Sequence, residues 1–140
     1  MSVSLFVPGR LCLFGEHSDW AGAHRATHPA LSPGRCIVAG TDQGLEATAD
    51  PSAVVELSTV LPDGGRVASV PLAPSEAALD AVARGGGFFS YAAGAAAEIV
   101  ARFGPLSVRL DVVADDLPLG KGLSSSAAIC VLVARPYAHT

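Results

Sequence analysis

Pro118-Leu119-Gly120-Lys121-Gly122-Leu123-Ser124-Ser125-Ser126-Ala127-Ala128 decides how the rest of this chain is read. Upstream, Leu106, Val108, Leu110 and Val112 alternate with Ser107, Arg109 and Asp111, a period of two that predicts a strand with one buried face. Downstream, Ala127 to Ala134 is almost wholly small or aliphatic, and a serine ahead of such a run is a favoured helix N-cap. The chain therefore goes strand, glycine loop, helix, with the helix starting near Ser124 or Ser125. Orphan N–H groups and the positive end of the helix dipole then face the loop, where an anion can be held without a basic side chain. Gly120 and Gly122 let the backbone approach a phosphate, the serine hydroxyls can donate to it or ligate Mg²⁺, and Lys121 adds a point charge. Two better-known glycine-rich signatures fail. Walker A needs Ser or Thr after its lysine, where Gly122 stands, and a dinucleotide fingerprint needs a third glycine where Ser125 stands.

A second cluster lies near the N-terminus. Pro8-Gly9-Arg10-Leu11-Cys12-Leu13-Phe14-Gly15-Glu16-His17-Ser18-Asp19-Trp20 ends in two carboxylates, an imidazole and the only tryptophan, within a chain that is 16% charged. Ser4 to Val7 and Leu11 to Phe14 read as two strands around a bend. Carboxylates accept from vicinal hydroxyls in charge-assisted bonds worth about 1.5–3 kcal/mol each, which suits a polyol. The planar fork of Arg10 suits developing phosphoryl charge. Taken singly, Glu16 and Asp19 would be solvated loop residues and Arg10 half of a surface ion pair; Trp20 is equally a core residue capping the loop or a stacking face for a sugar ring.

Pro-x-Gly-x-Gly-Leu-Ser-Ser-Ser-Ala-Ala resembles the second motif of the GHMP small-molecule kinases, and residues 8–20 resemble their first. The triple serine and the Glu-His-x-Asp are most similar to the galactokinase branch. The resemblance implies an α+β fold like ribosomal protein S5 domain 2, a mainly antiparallel sheet packed against helices, with residues 1–140 as the N-terminal ATP-binding domain and the C-terminal domain absent. It implies ATP-dependent phosphorylation of a sugar hydroxyl, with ATP and Mg²⁺ as cofactors. Residue by residue, Arg10 lies beside the transferring phosphate, and Glu16, His17 and Asp19 bind the sugar. Pro118, Gly120, Lys121, Gly122, Leu123, Ser124, Ser125, Ser126 and Ala127 hold the nucleotide, and Ser126, with Ser125 as second choice, ligates the metal. Members of the family continue into a third motif, a second domain and a catalytic aspartate beyond the point matching residue 140. Weak or absent turnover by these residues alone is therefore expected. The alternatives are a mevalonate-type member of the family, which shares the Gly-Glu-His start but usually lacks the aspartate found here as Asp19, and a non-catalytic sugar- or nucleotide-binding fragment.

Half of the 140 residues are hydrophobic, with mean hydropathy +0.43, so a single domain with a sizeable core is expected. Net charge is −4 without a Lys/Arg cluster, which leaves no footprint for nucleic acid. Cys12, Cys36 and Cys130 form no C-x-x-C pair and read as buried free thiols. With no signal-peptide pattern and no apolar run near the roughly 20 residues of a membrane span, the expected setting is cytoplasmic, without a membrane partner.

Residues 21–34 read as a loop, in which Pro29 and Pro33 argue against a helix that would bring His24 and His28 together on a metal. Strands are expected over 36–39, 45–49, 54–60 and 66–70, the last two joined through Pro62-Asp63-Gly64-Gly65. Ser75 should cap a helix over 75–84, ended by Gly85-Gly86-Gly87. Phe89, Ala92, Ala96, Ile99 and Phe103 predict a helical stripe over 88–103, supported by an exposed Glu98–Arg102 pair. Gly94 within it calls for close packing or ligand access, and Pro136 should end the last helix. Apolar surface left by an absent second half is expected to favour self-association.

Overall fold

A computed structural model describes residues 2–15, 21–105, 107–117 and 123–139. Five strands form one sheet: β1 (Val3–Phe14), β2 (Ile37–Pro51), β3 (Glu56–Val60), β4 (Arg66–Ala68) and β5 (Val108–Asp115), in the spatial order β1-β2-β5-β3-β4. Every pairing is antiparallel except β3 with β5. The helices are a single turn α1 (Ala21–His24), then α2 (Glu76–Arg84), α3 (Ser90–Phe103) and α4 (Ser125–Ala134), followed by a 3₁₀ turn over Arg135–His139. This is the expected α+β layout of a mainly antiparallel sheet backed by helices.

Alternation does the folding work in the sheet. Val108, Leu110 and Val112 of β5 are buried, as are Leu5 and Val7 of β1 and Leu45, Ala47 and Ala49 of β2. With Leu79, Ala92, Ala96, Ala97, Ala128, Leu132 and Val133 from the helices they make one core, so α2, α3 and α4 cover one face. The opposite face carries polar links: Asp111 pairs with Arg66 and accepts from the Ser58 hydroxyl, and Arg109 pairs with Glu56 at 3.0 Å.

Several expectations hold closely. The β3–β4 hairpin closes through a turn in which Gly64 takes φ +82° and donates to the Leu61 carbonyl. Ser75 caps α2, its hydroxyl accepting from the Ala78 N–H, and Glu98 pairs with Arg102 at 3.3 Å. The last helix stops at Ala134. Pro136, which lacks an N–H for the α-helical ladder, sits in the 3₁₀ turn, where Tyr137 donates to the Gly104 carbonyl at 2.7 Å.

Others need correction. Residues 3–14 are one strand, with a bulge where the register shifts between Pro8 and Arg10, and residues 37–51 are one strand too. Gly9 and the stretch Thr41-Asp42-Gln43 lie opposite each other, so the two apparent turns are one shared irregularity in a long antiparallel ribbon. The far part of that ribbon exposes Leu11, Leu13, Phe14, Ile37 and Val38. None of the three cysteines is fully buried, and Cys36 is exposed; all are free thiols. Residues 21–34 begin with the α1 turn, and His28 bonds back through its N–H to the His24 carbonyl at 2.9 Å. In α3 the inward face is alanine (Ala92, Ala93, Ala96, Ala97), while Phe103 is 74% exposed. Leu106 lies outside the described residues, and among those described no helix is long and apolar enough to cross a membrane.

Gly94 is not demanded by packing. A methyl group there would stand 3.6 Å from Cβ of Ala83 in α2, an ordinary contact. Gly94→Ala should therefore raise stability by up to about 1 kcal/mol, from the difference in helix propensity, seen as a higher urea midpoint at unchanged m; a lower midpoint would show that α2 and α3 need the closer approach.

Candidate active site

β5 lies between β2 and β3 and delivers the chain to the glycine loop, and both ends of that loop are fixed at the irregularity shared by β1 and β2. At the entry, Asp116 accepts from the Gly44 N–H through Oδ1 at 2.5 Å, and the Asp115 carboxylate accepts from the Leu117 N–H at 3.0 Å. Leu117 is buried against Gly9: a Cβ at position 9 would stand 2.6 Å from Leu117 Cδ2 and 2.7 Å from Thr41 Oγ1. At the exit, the Leu123 carbonyl accepts from the Arg10 N–H at 3.1 Å. Glycine at position 9 is thus a requirement of close approach. The two motifs, over a hundred positions apart, meet at one point.

Leu123, Ser124, Ser125, Ser126 and Ala127 run through that exit into α4. The expected serine cap is absent. Ser124 occupies the N-cap position in the left-handed region (φ 59°, ψ 42°), its side chain makes no capping bond, and it is the only non-glycine residue with positive φ among those described. That conformation costs a non-glycine residue about 1–2 kcal/mol. The Ala128 N–H bonds to the Ser124 carbonyl, while the N–H groups of Ser125, Ser126 and Ala127 have no acceptor among the described residues. Three donors at the positive end of a ten-residue helix are left facing the loop. Arg10 is exposed beside them, and among the described residues no carboxylate pairs with its guanidinium.

A cavity of about 280 Å³ opens next to this helix start. Ser125 and Ser126 line one side and Phe88, Phe89 and Tyr91 another; Leu45, Leu57, Leu110 and Val112 from the sheet and Ile129 from α4 complete its apolar walls. Phe88 and Tyr91 are 67% and 63% exposed and stand at the rim, where the Phe88 ring meets that of Phe89 edge to face at 5.1 Å. Tyr91 is steadied through its backbone, its carbonyl 3.7 Å from Cys130 Sγ, and burial pushes that thiol's pKa up, which keeps it the protonated donor. The sequence placed Phe89 in the buried stripe and assigned neither Phe88 nor Tyr91 to the site; their clustering around the start of α3, with Phe89 at its N-cap and Tyr91 in its first turn, was the available signal.

Glu16, His17 and Asp19, with Pro118, Gly120, Lys121 and Gly122, lie outside the described residues. Among the described residues no three His, Cys, Asp or Glu side chains cluster as a metal site.

No family model matches the sequence, and no curated protein does. Solved structures match in fold. The chain is similar to Lactococcus lactis galactokinase complexed with galactose (23% identity, TM-score 0.64), covering 94% of this chain and 31% of that one. It is similar to Methanococcus jannaschii mevalonate kinase (18%, TM-score 0.58, covering 95% and 38%) and to the Lin0012 protein of Listeria innocua (19%, TM-score 0.61, covering 99% and 36%). The galactokinase and mevalonate kinase neighbours are GHMP kinases, and this chain has the fold of a part of them. It spans well under half the length of each.

Two substitutions test the geometry. Gly9→Ala should cost about 1–3 kcal/mol, the usual penalty of forcing a methyl into a filled space, read from the denaturation midpoint. Ser124→Gly should instead stabilise by roughly 0.5–1 kcal/mol, because glycine takes positive φ freely, part of the gain being lost to its greater unfolded-state entropy; a loss of stability would show that the serine hydroxyl, not the backbone angle, holds the helix start.

Proposed function

We propose that this chain is the nucleotide-binding part of an ATP-dependent small-molecule kinase whose acceptor is a sugar hydroxyl. The observation that carries the reading is the Arg10 N–H to Leu123 carbonyl bond, which joins a cationic residue to uncapped helix amides at the mouth of an aromatic-rimmed cavity. A nucleoside triphosphate has the matching shape: a flat base for Phe88 and Tyr91, and an anionic tail for the N–H groups of Ser125 to Ala127. The kinase neighbours support this, and the galactokinase, holding galactose, supports the sugar. Glu-His-x-Asp at 16–19 supplies the carboxylates such an acceptor needs, with Glu16, His17 and Asp19 in that role.

Mg²⁺ takes one or two protein oxygens and completes its shell with phosphate and water. The Ser126 hydroxyl, exposed at the start of α4 and lining the cavity, fits as such a ligand, with Ser125 beside it. Bound there, the ion would neutralise charge on the β- and γ-phosphates. The residues of the chain position the reactants. The helix amides fix the triphosphate, Arg10 spreads its fork over the γ-phosphoryl oxygens, and the carboxylates orient the acceptor hydroxyl. That oxygen forms a bond to the γ-phosphorus as the bond to the β–γ bridging oxygen breaks, releasing ADP. The hydroxyl proton passes to a phosphoryl oxygen late in the transfer and from there to water, so the products are phosphorylated acceptor, ADP and H⁺.

Calorimetric titration with Mg·ATP should give saturable, one-site binding that ADP competes away. Phe88→Ala and Tyr91→Ala should each weaken it by roughly 5- to 100-fold, the usual worth of one base–aromatic contact. Binding that neither substitution alters would displace the base from this cavity, and no binding at all would remove the kinase reading.

A further inference from the structure

We propose that Asp115 is a specificity-determining residue that reads the sugar of the nucleotide, its carboxylate accepting hydrogen bonds from the ribose hydroxyls. The inference rests on the nucleotide reading above and goes beyond it by assigning the part of the ligand that neither the aromatic rim nor the helix amides contact.

Asp115 is the last residue of β5, and among the described residues it is the only charged one lining the 280 Å³ cavity. A second cavity, of about 560 Å³, adjoins the first, and the two share Thr59, Phe88 and Asp115. The carboxylate therefore sits where they meet. One oxygen, Oδ1, accepts from the Leu117 N–H at 3.0 Å, which fixes the group in place, and no cation pairs with it among the described residues. The neighbouring hydroxyls are turned elsewhere: Ser58 donates to Asp111 at 2.5 Å and Thr59 to the Val60 carbonyl at 3.3 Å. What the junction offers a ligand is a carboxylate, whose oxygens accept hydrogen bonds. Such a group repels phosphate and wastes a purine face, so it needs a donor. With the base against Phe88 and the triphosphate at Ser125 and Ser126, the part of the nucleotide between them is ribose, and its 2′- and 3′-hydroxyls are a vicinal donor pair.

The test compares ATP with 2′,3′-dideoxy-ATP, both with Mg²⁺, by calorimetry on the wild-type chain and on Asp115→Ala and Asp115→Asn. Wild type should bind ATP about tenfold more tightly, at the low end of what charge-assisted hydrogen bonds supply because the carboxylate faces solvent. In Asp115→Ala the ratio should fall to near one, through loss of ATP affinity alone. Asp115→Asn, which keeps an acceptor for the Leu117 N–H, should give an intermediate ratio and guards against a folding defect in the alanine variant. Equal wild-type affinities, or a ratio that survives in Asp115→Ala, would overturn the proposal and leave the nucleotide site standing. A loss in Asp115→Ala that follows the base amine, seen by substituting ITP for ATP, would overturn it by moving the carboxylate to the base. Failure of wild type to bind either nucleotide would remove the nucleotide reading and this one with it.

Discussion

The site depends on a single backbone contact, the Arg10 N–H held by the Leu123 carbonyl, and on the bare glycine beside it. Where Gly9 faces the surplus residues 41–43 of β2 the ladder is interrupted, and the Arg10 N–H beside the break is used on the chain leaving the glycine loop. Because Leu117 packs into the space a side chain at Gly9 would fill, the same two residues of β1 fix where the loop starts and where it ends. Sequence separation between the motifs becomes contact through that one irregularity.

Order at the loop ends has a local cost. A serine in the left-handed region and three helix amides without acceptors among the described residues are both unfavourable; a glycine at 124 would relieve the first, and a capping side chain there would relieve the second. A capping oxygen would occupy the donors, however. The left-handed turn keeps the Ser124 side chain off the helix end, so the amides stay open. A cap and the proposed anion would compete for the same N–H groups, and the backbone angle at Ser124 leaves its own side chain out of that competition.

Much of this was legible in the sequence where local chemistry decides structure. The alternation through Val108, Leu110 and Val112, the Ser75 cap and the Asp63-Gly64 turn are set by neighbours a few positions away, and each formed as expected. The irregular ribbon was not legible in the same way. Pro8-Gly9 and Gly40 to Gly44 each look like a turn alone, and only their pairing across the sheet turns both into a bulge. In α3 the expected stripe holds at Ala92 and Ala96, which are buried, and at Phe89 and Ile99, which pack against the core, while Phe103 at its end is exposed. Of the candidate site, Arg10 and residues 123–127 come together as their motifs imply, while the acceptor-side residues 16–19 and the glycines of the loop fall outside the described chain.

The cavity follows from the same preference for small residues in α3. Alanines at 92, 93, 96 and 97 bring its backbone down onto the core, while at its beginning Phe89 packs against the core and Phe88 and Tyr91 stay exposed. The space between them exposes the ends of core side chains from β2, β3 and β5, a loss of contact that larger residues at the start of α3 could recover. That apolar opening shares its wall with the uncapped start of α4. A ligand must therefore be flat and apolar at one end and anionic at the other, and the single carboxylate at the junction of the two cavities asks for donors in its middle.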